Sequence, residues 1–371
     1  MRRTFQYRAI LSETTEANCV LWLEQCRTLY NLALEQRIMV YRQSKKSLSL
    51  YTQQKQLPEL KESFPDFACV GSQCLQDVLD RLDKAFKAFF QRCKQGKAGF
   101  PRFKGKDRYD SFTLKQSGWK LEGRYLHLAK IGRLRLYLSR PIEGDIKTVT
   151  VHRSPTGKWF VSFSCDNVPP RVFPVTDRAV GIDVGIKSFA VDSDGETVKN
   201  PKHLRQSLKE LRIKQRTLAR RVRGSRRRHI ASMEVATLHE RVANQRKDFL
   251  NKTANRYIQQ YQYIVVEDLN INGMVRNHCL ALSIQDSSWG MFFNLLSHKA
   301  EEAGRVLVKV NPRGTSQRCS ACGENVPKKL SQRIHACPSC GLVIDRDENA
   351  ALNILAVGQT AQALSPTLGF A

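Results

Sequence analysis

No run of the sequence approaches the roughly 20 consecutive apolar residues of a membrane-spanning helix, and no basic amphipathic helix stands beside a lipid-anchor site. No membrane partner is expected. The opening residues, Met1-Arg2-Arg3-Thr4-Phe5, pass into mixed polar sequence without the apolar segment of a signal peptide. Negative charge is the other shortage. Against 61 Lys and Arg stand 34 Asp and Glu, a formal net charge of +27. In a chain of 371 residues that surplus points to a long polyanion held through its phosphates. A disulfide framework is also missing. Of eleven cysteines, four form two Cys-x-x-Cys pairs, and an odd remainder (Cys19, Cys26, Cys69, Cys74, Cys93, Cys165, Cys279) is scattered. That distribution predicts reduced, buried thiols in a cytosolic protein.

The length allows two or three domains. Residues 3–11 alternate and read as a strand. From about Glu16 to Tyr41, Cys19, Leu23, Cys26, Tyr30, Ala33 and Arg37 keep a 3.6-residue period and predict a helix. Pro58 and Pro65 bracket an expected loop-rich connection. A second helix over 72–94 carries the stripe Leu75, Val78, Leu79, Leu82, Phe86, Phe89, Phe90 and Cys93, read as core packing. The stretch 96–106 then interleaves Phe100 and Phe103 with Lys97, Arg102, Lys104 and Lys106. Such a loop suits a nucleic-acid backbone, cations on phosphates and rings on bases or sugars. The plainer reading is a surface loop with two anchoring phenylalanines. From 111 to about 166, short strands between turns predict a small barrel or sandwich that strand 3–11 could join, with a proline-rich linker over 167–178.

The second half is organised around Gly181-Ile182-Asp183-Val184-Gly185, an apolar strand carrying one acid, followed by a second strand at 188–192. Alone, that acid reads as a solvated or ion-paired residue. Glu267 ends the apolar run 264–266, and Asp347 opens a helix-like segment. Three carboxylates on elements able to neighbour one another make a hard-oxygen site for Mg²⁺ or Mn²⁺. Two such ions about 4 Å apart suit phosphodiester hydrolysis. Asp268 should point to the opposite sheet face from Glu267. Spacing does not choose between Asp345 and Asp347. The helix start favours Asp347, where its carboxylate could also cap Ala350 or Ala351. Between two helical segments lies 220–229, holding Arg220, Arg221, Arg223, Arg226, Arg227 and Arg228 around Gly224-Ser225. It reads as a phosphate contact at the tip of a helical hairpin. Three antiparallel strands, then helix, strand, helix, strand and final helix is the element order of an RNase H-like α/β domain.

Cys319-x-x-Cys322 and Cys337-x-x-Cys340, each followed by Gly, frame a 14-residue spacer. Two thiolate knuckles so spaced close tetrahedrally on one structural Zn²⁺. His335 is nearby, but the four cysteines already fill the site. Lys328, Lys329 and Arg333 suit the ribbon to touch nucleic acid. The tail after Ala356 carries no motif.

The segments GIDVGIKSFA (181–190), IVVEDLNINGM (264–274), SWGMF (288–292), TSQRCSACG (315–323) and CPSCGLVIDRDENAALNIL (337–355) resemble the TnpB family of transposon-encoded RNA-guided nucleases, related to type V CRISPR effectors. LYNLALEQR (29–37) and the stretch 82–106 match too, so the resemblance spans nearly the whole chain. It implies a wedge β-barrel from 1–11 and 111–178, and a helical recognition lobe over 12–110. A RuvC-type nuclease domain would span 179–314 and 343–371, with a zinc ribbon at 315–342. The family's acids fall on Asp183, Glu267 and Asp347. The implied activity is cleavage of double-stranded DNA beside a short target-adjacent motif, directed by a guide RNA, in the bacterial or archaeal cytoplasm near the nucleoid. The alternatives are a nuclease-inactive, RNA-guided repressor, which a metal-dependent cleavage assay separates, and an RNase H-like strand transferase, which would join transposon-end DNA without RNA. A zinc-ribbon binder without catalysis leaves the acids unexplained.

Overall fold

The computed structural model describes residues 1–97, 99–106, 108–329 and 332–363, with side chains described to residue 360. The part of the expected nuclease domain beyond 363 lies outside them. The chain divides into two compact units, Met1–Pro169 and Pro170–Ala371.

The first unit opens with β1 (Arg3–Leu11) and α1 (Glu13–Ser44). Ser12 caps α1 by accepting from the Thr15 amide. Then come α2 (Leu50–Lys55), α3 (Leu57–Ser63), a 3₁₀ turn (Pro65–Cys69) and α4 (Ser72–Lys94). The connection expected to be loop-rich is thus helical. Pro58 lies in the first turn of α3 and Pro65 opens the 3₁₀ turn, where a missing amide costs nothing. Six more strands follow: β2 (Ser111–Leu114), β3 (Trp119–Glu122), β4 (Tyr125–Leu128), β5 (Gly132–Leu136), β6 (Asp145–Arg153) and β7 (Trp159–Asp166).

These strands pair antiparallel in the order β2-β6-β7-β1-β5-β4-β3, so β1 joins the sheet as expected. The order is open, not the closed ring of a barrel. At the β2 edge, α4 takes the place of a further strand: Cys74 Sγ donates to the Thr113 carbonyl (3.2 Å) and Arg81 to the Ser111 carbonyl (2.9 Å). Trp22 of α1 meets Phe112 with ring centroids 5.3 Å apart. One core holds Phe5, Tyr7, Trp22, Leu34, Leu75, Phe112 and Phe163, so helices and sheet fold together. Burial of the α4 stripe stops at Leu82; Phe86 and Phe89 are half-buried, and Phe90 and Cys93 are exposed.

In the second unit β8 (Ala179–Val184), β9 (Ser188–Asp192) and β10 (Thr197–Lys199) form the antiparallel part. Two helices, α5 (His203–Arg220) and α6 (Arg226–Gln260), make a hairpin before β11 (Tyr263–Glu267). Short α7 (Ile271–Met274), α8 (His278–Ser287) and α9 (Trp289–Ala303) lead to β12 (Val306–Val310). A two-stranded ribbon, β13 (Ile334–Ala336) and β14 (Val343–Asp345), precedes α10 (Arg346–Ala363). The sheet order is β10-β9-β8-β11-β12, with β8, β11 and β12 parallel. The helix α10 continues past Ala356 to Ala363, and Gly358 within that stretch packs against Val265 of the sheet.

The cysteines divide by site. Burial pushes the Cys19 and Cys26 thiols up to about 12, as expected of inert core thiols. Cys93 and Cys279 are exposed, against expectation, because their helix faces lie outside the cores.

Candidate active site

Alternation along two parallel strands decides where the acids go. On β11, Ile264 and Val266 face a core with Val180 and Ile182 of β8, under α6 and α9. Tyr263 and Val265 face the other side, with Ile354 of α10. Glu267, two residues beyond Val265, therefore points to the α10 side, as does Asp183, two beyond Gly181. The register pairs Val266 with Ile182, and one step further sets Glu267 beside Asp183. Asp268 lies just past the end of β11 and is exposed.

Two glycines let α10 lie close enough to complete the group. A Cβ on Gly181 would stand 2.1 Å from the Ala351 carbonyl oxygen and 2.7 Å from the Leu355 amide. A Cβ on Gly358 would stand 2.5 Å from Val265 Cγ2. Tyr263 fastens the same crossing, donating to the Gly358 carbonyl at 2.7 Å. At the near end of α10 the cap is Asp345, not Asp347. Asp345 Oδ1 accepts from the amides of Asp347 (2.8 Å) and Glu348 (3.4 Å). The capping role expected of Asp347 is thus taken two residues earlier, because the helix starts at Arg346. Asp347 is left with an ion pair to Arg333 of the ribbon, at 3.6 Å.

Asp183 senses the other two acids. The Asp183 carboxyl is held well above the usual carboxylate range by burial first, then by the charges of Glu267 and Asp347. Arg346 and the Val184 amide oppose this only in part. Glu267 is also raised by burial, while the Thr315 hydroxyl at 2.7 Å draws it down. Buried Glu267 with half-buried Asp183 and Asp347 offers hard oxygen ligands whose charge a divalent cation would offset, although the three do not close to within 4.8 Å of one another.

Among the described residues, the one group of three or more ligand atoms within 4.8 Å of one another is Cys319, Cys322, Cys337 and Cys340. Four thiol sulfurs at that spacing fit a tetrahedral zinc ion and leave no ligand position open. His335 is fully buried behind them, with Nδ1 against Lys328 Nζ. Sequence patterning missed the joint between this ribbon and α10. Asn349 donates to the Arg318 carbonyl (2.7 Å) and accepts from the Ser320 amide (3.0 Å). Asn353, one turn on, donates to the carbonyls of Thr315 and Arg318, both at 2.8 Å. Asparagine is a poor helix-interior residue, and two at i, i+4 were the available signal.

The basic stretches divide likewise. In 96–106, Phe100 packs edge-on against Phe86 (5.5 Å) and Phe89 (5.2 Å). Asn31 holds the Lys104 backbone by both its amide (2.8 Å) and its carbonyl (3.0 Å), and Lys104 Nζ lies over Tyr30. Phe100 and Lys104 are therefore held by neighbours, although Phe100 stays exposed, as do Lys97, Arg102 and Phe103. At the α5–α6 tip, Arg220, Arg221, Arg223, Arg226 and Arg227 are exposed. Arg228 turns inward and donates to the carbonyls of Leu218 and Arg221, both at 3.0 Å, closing the end of α5.

A family model named OrfB_IS605 and described as "Probable transposase" matches residues 162–278, and a Cas12f1-like TNB domain model matches 289–354. A Streptomyces pristinaespiralis protein, provisionally named an RNA-guided DNA endonuclease, is 36% identical over 98% of this chain and 91% of its own length. The chain belongs to the TnpB family. An Escherichia coli K12 relative with the same kind of name is 32% identical over 79% of this chain and 76% of its own length. A TnpB-like protein of Acanthamoeba polyphaga mimivirus is 27% identical over 59% of this chain and 45% of its own length. The fold is similar to that of the protein in a Cas12f1–sgRNA–target DNA complex solved by cryo-EM, with a TM-score of 0.61 at 16% identity, over 93% of this chain and 83% of that one. No helix among the described residues is long and apolar enough to cross a membrane.

Proposed function

We propose that this TnpB-family chain is an RNA-guided endonuclease that cuts double-stranded DNA, with Asp183, Glu267 and Asp347 as its catalytic carboxylates. The observation that supports this is the approach of Asp347 on α10 to Asp183 and Glu267 on one sheet face, with Asp183 raised by burial first and then by the charges of the other two. Two Mg²⁺ or Mn²⁺ ions held there would activate the attacking water and offset charge on the leaving 3′ oxygen. Asp183 and Glu267 project from adjacent strand ends and Asp347 from the first turn of α10, so a rigid sheet edge sets their geometry. Arg333 and Arg346 bring positive charge to the same place, suited to a phosphate oxygen. The functional regions follow the family: wedge 1–11 and 111–178, recognition helices 12–110, RuvC-type domain 179–314 and 343–371, zinc ribbon 315–342. Guide RNA and target duplex are the polyanions that the +27 charge serves. The test is cleavage of a duplex matching a supplied guide, with and without Mg²⁺. Strand joining without RNA would favour the transferase, and guided binding without cleavage the repressor.

The zinc cluster is structural in this reading. Cys319→Ser is expected to lose the metal and disorder 315–345, since a ribbon of this size has little core of its own. Zinc analysis and limited proteolysis check it; full zinc content in the variant would contradict it.

The tip arginines contact phosphate. Changing Arg221, Arg223 and Arg227 together to Ala is expected to weaken RNA binding and lower its salt dependence by about two to three units of slope. Arg228→Ala is expected instead to loosen the hairpin, by about 1 kcal/mol for its two carbonyl bonds. Filter binding across a salt series and a thermal melt separate the two roles.

A further inference from the structure

The segment between β12 and the first zinc cysteine does more than connect them. Thr315 is buried, and its hydroxyl donates to Glu267 Oε1 at 2.7 Å. The same hydroxyl lies 3.1 Å from the Pro312 carbonyl, but it has one proton, and the shorter, charge-assisted bond to the carboxylate is the stronger. That bond engages one oxygen of Glu267 and fixes the rotation of the carboxylate plane, leaving Oε2 for a cation. The backbone around Thr315 is gripped in turn. Its carbonyl accepts from Asn353, the Arg318 carbonyl accepts from Asn349 and Asn353, and the Ser320 amide donates to Asn349. Asn349 is two residues beyond Asp347 on α10, and Ser320 lies inside the first knuckle, Cys319 to Cys322. Residues 315–320 therefore touch Glu267, the start of α10 and the thiol cluster at once.

We propose that Thr315 is a positioning residue for Glu267, carried on a strap that couples the zinc knuckle to the acid site. This rests on the reading of the acids as a divalent-metal site. The strap gives the zinc ribbon a role in the chemistry: a folded knuckle holds 315–320, the hydroxyl holds the Glu267 carboxylate, and the asparagine pair holds the helix that carries Asp347. Losing the hydroxyl would leave a buried carboxylate oxygen without its donor while the thiols stay intact.

The experiment is an Mn²⁺ titration followed by electron paramagnetic resonance, on the zinc-loaded full chain freed of nucleic acid. The sites of interest are those that Asp183→Asn removes. Thr315→Val keeps the side-chain shape without the hydroxyl, and Thr315→Ser keeps the hydroxyl. Thr315→Val is expected to weaken Asp183-dependent Mn²⁺ binding by about 10-fold or more, the usual effect of removing an outer-shell partner, with zinc content unchanged and Thr315→Ser close to wild type. Unchanged Mn²⁺ affinity in Thr315→Val would overturn the proposal. So would loss of zinc in that variant, which would make Thr315 a part of the ribbon fold only. If the wild type shows no Asp183-dependent Mn²⁺ binding, the metal-site reading itself fails and this inference falls with it.

Discussion

Asp183→Asn is expected to abolish DNA cleavage and, in the same protein, to raise thermal stability when Mg²⁺ is left out. The two effects share a cause. In the absence of a cation, burial and the charges of Glu267 and Asp347 hold the Asp183 carboxyl well above the usual range. A carboxyl raised on folding binds more protons folded than unfolded between its two pKa values. Stability is therefore full below about pH 4, the unfolded value, and falls as pH rises through the folded one. Near neutral pH the ionised group works against the fold. Asparagine removes the charge and keeps the shape, so the melting temperature should rise, by about 2–4 °C for each kcal/mol relieved. The gain should shrink in acid, where the wild-type carboxyl is protonated. Cleavage should fall beyond the ~100-fold usual for outer-shell changes, because a direct ligand is lost. Melting curves in Mg²⁺-free buffer with zinc retained, beside a guided cleavage assay, test both. Cleavage at wild-type rate, or a lower melting temperature at neutral pH, would contradict the assignment.

Gly181→Ala is expected to have an effect of similar size from a single methyl group. The new Cβ would meet backbone atoms of α10, at 2.1 Å and 2.7 Å, and backbone cannot rotate away as a side chain tip can. The helix must shift from β8, and Asp347 moves with it. A displacement of about 1 Å at a catalytic group costs on the order of 100-fold in rate. The packing strain itself is about 1–3 kcal/mol or more. RNA binding should survive, since the exposed arginines are carried by the α5–α6 tip, on neither of the two elements that cross here. Gly290→Ala is the control: its nearest neighbour, Ile271 Cδ1, is 3.6 Å away, an ordinary contact. Near-normal cleavage in Gly181→Ala would mean that α10 does not set the site.

The parts of this site that rest on alternation were legible in the sequence. Asp183 lies one residue before the end of an apolar strand and Glu267 ends another, and a period of two gives each a definite face. The thiol cluster was legible because short-range spacing nearly fixes its geometry. The tip and loop cations were legible as a class but not individually. Nothing in the string of arginines tells that Arg228 closes α5 while Arg227 is exposed, or that Phe100 is pinned by Phe86 and Phe89 while Phe103 is not. Those differences arise from neighbours distant in sequence. The same holds for Asp345 and Asp347, whose roles depend on where α10 starts, and for the helical connection at Pro58, where a proline begins a helix. Thr315, Asn349 and Asn353 were hidden for a further reason. Thr315 carries no signal and the two asparagines only that of a poor helix-interior pair, and their hydrogen bonds meet only when the ribbon folds back onto α10.

The central claim is that this chain cuts DNA at a place chosen by an RNA it carries. The most direct measurement is to express it with its native flanking DNA, sequence the RNA that co-purifies, and offer duplexes that do or do not match the variable end of that RNA. The expected result is one abundant RNA, structured at one end and variable at the other, and Mg²⁺-dependent cleavage of the matching duplex alone. Random or no RNA, or cleavage indifferent to the match, would contradict it.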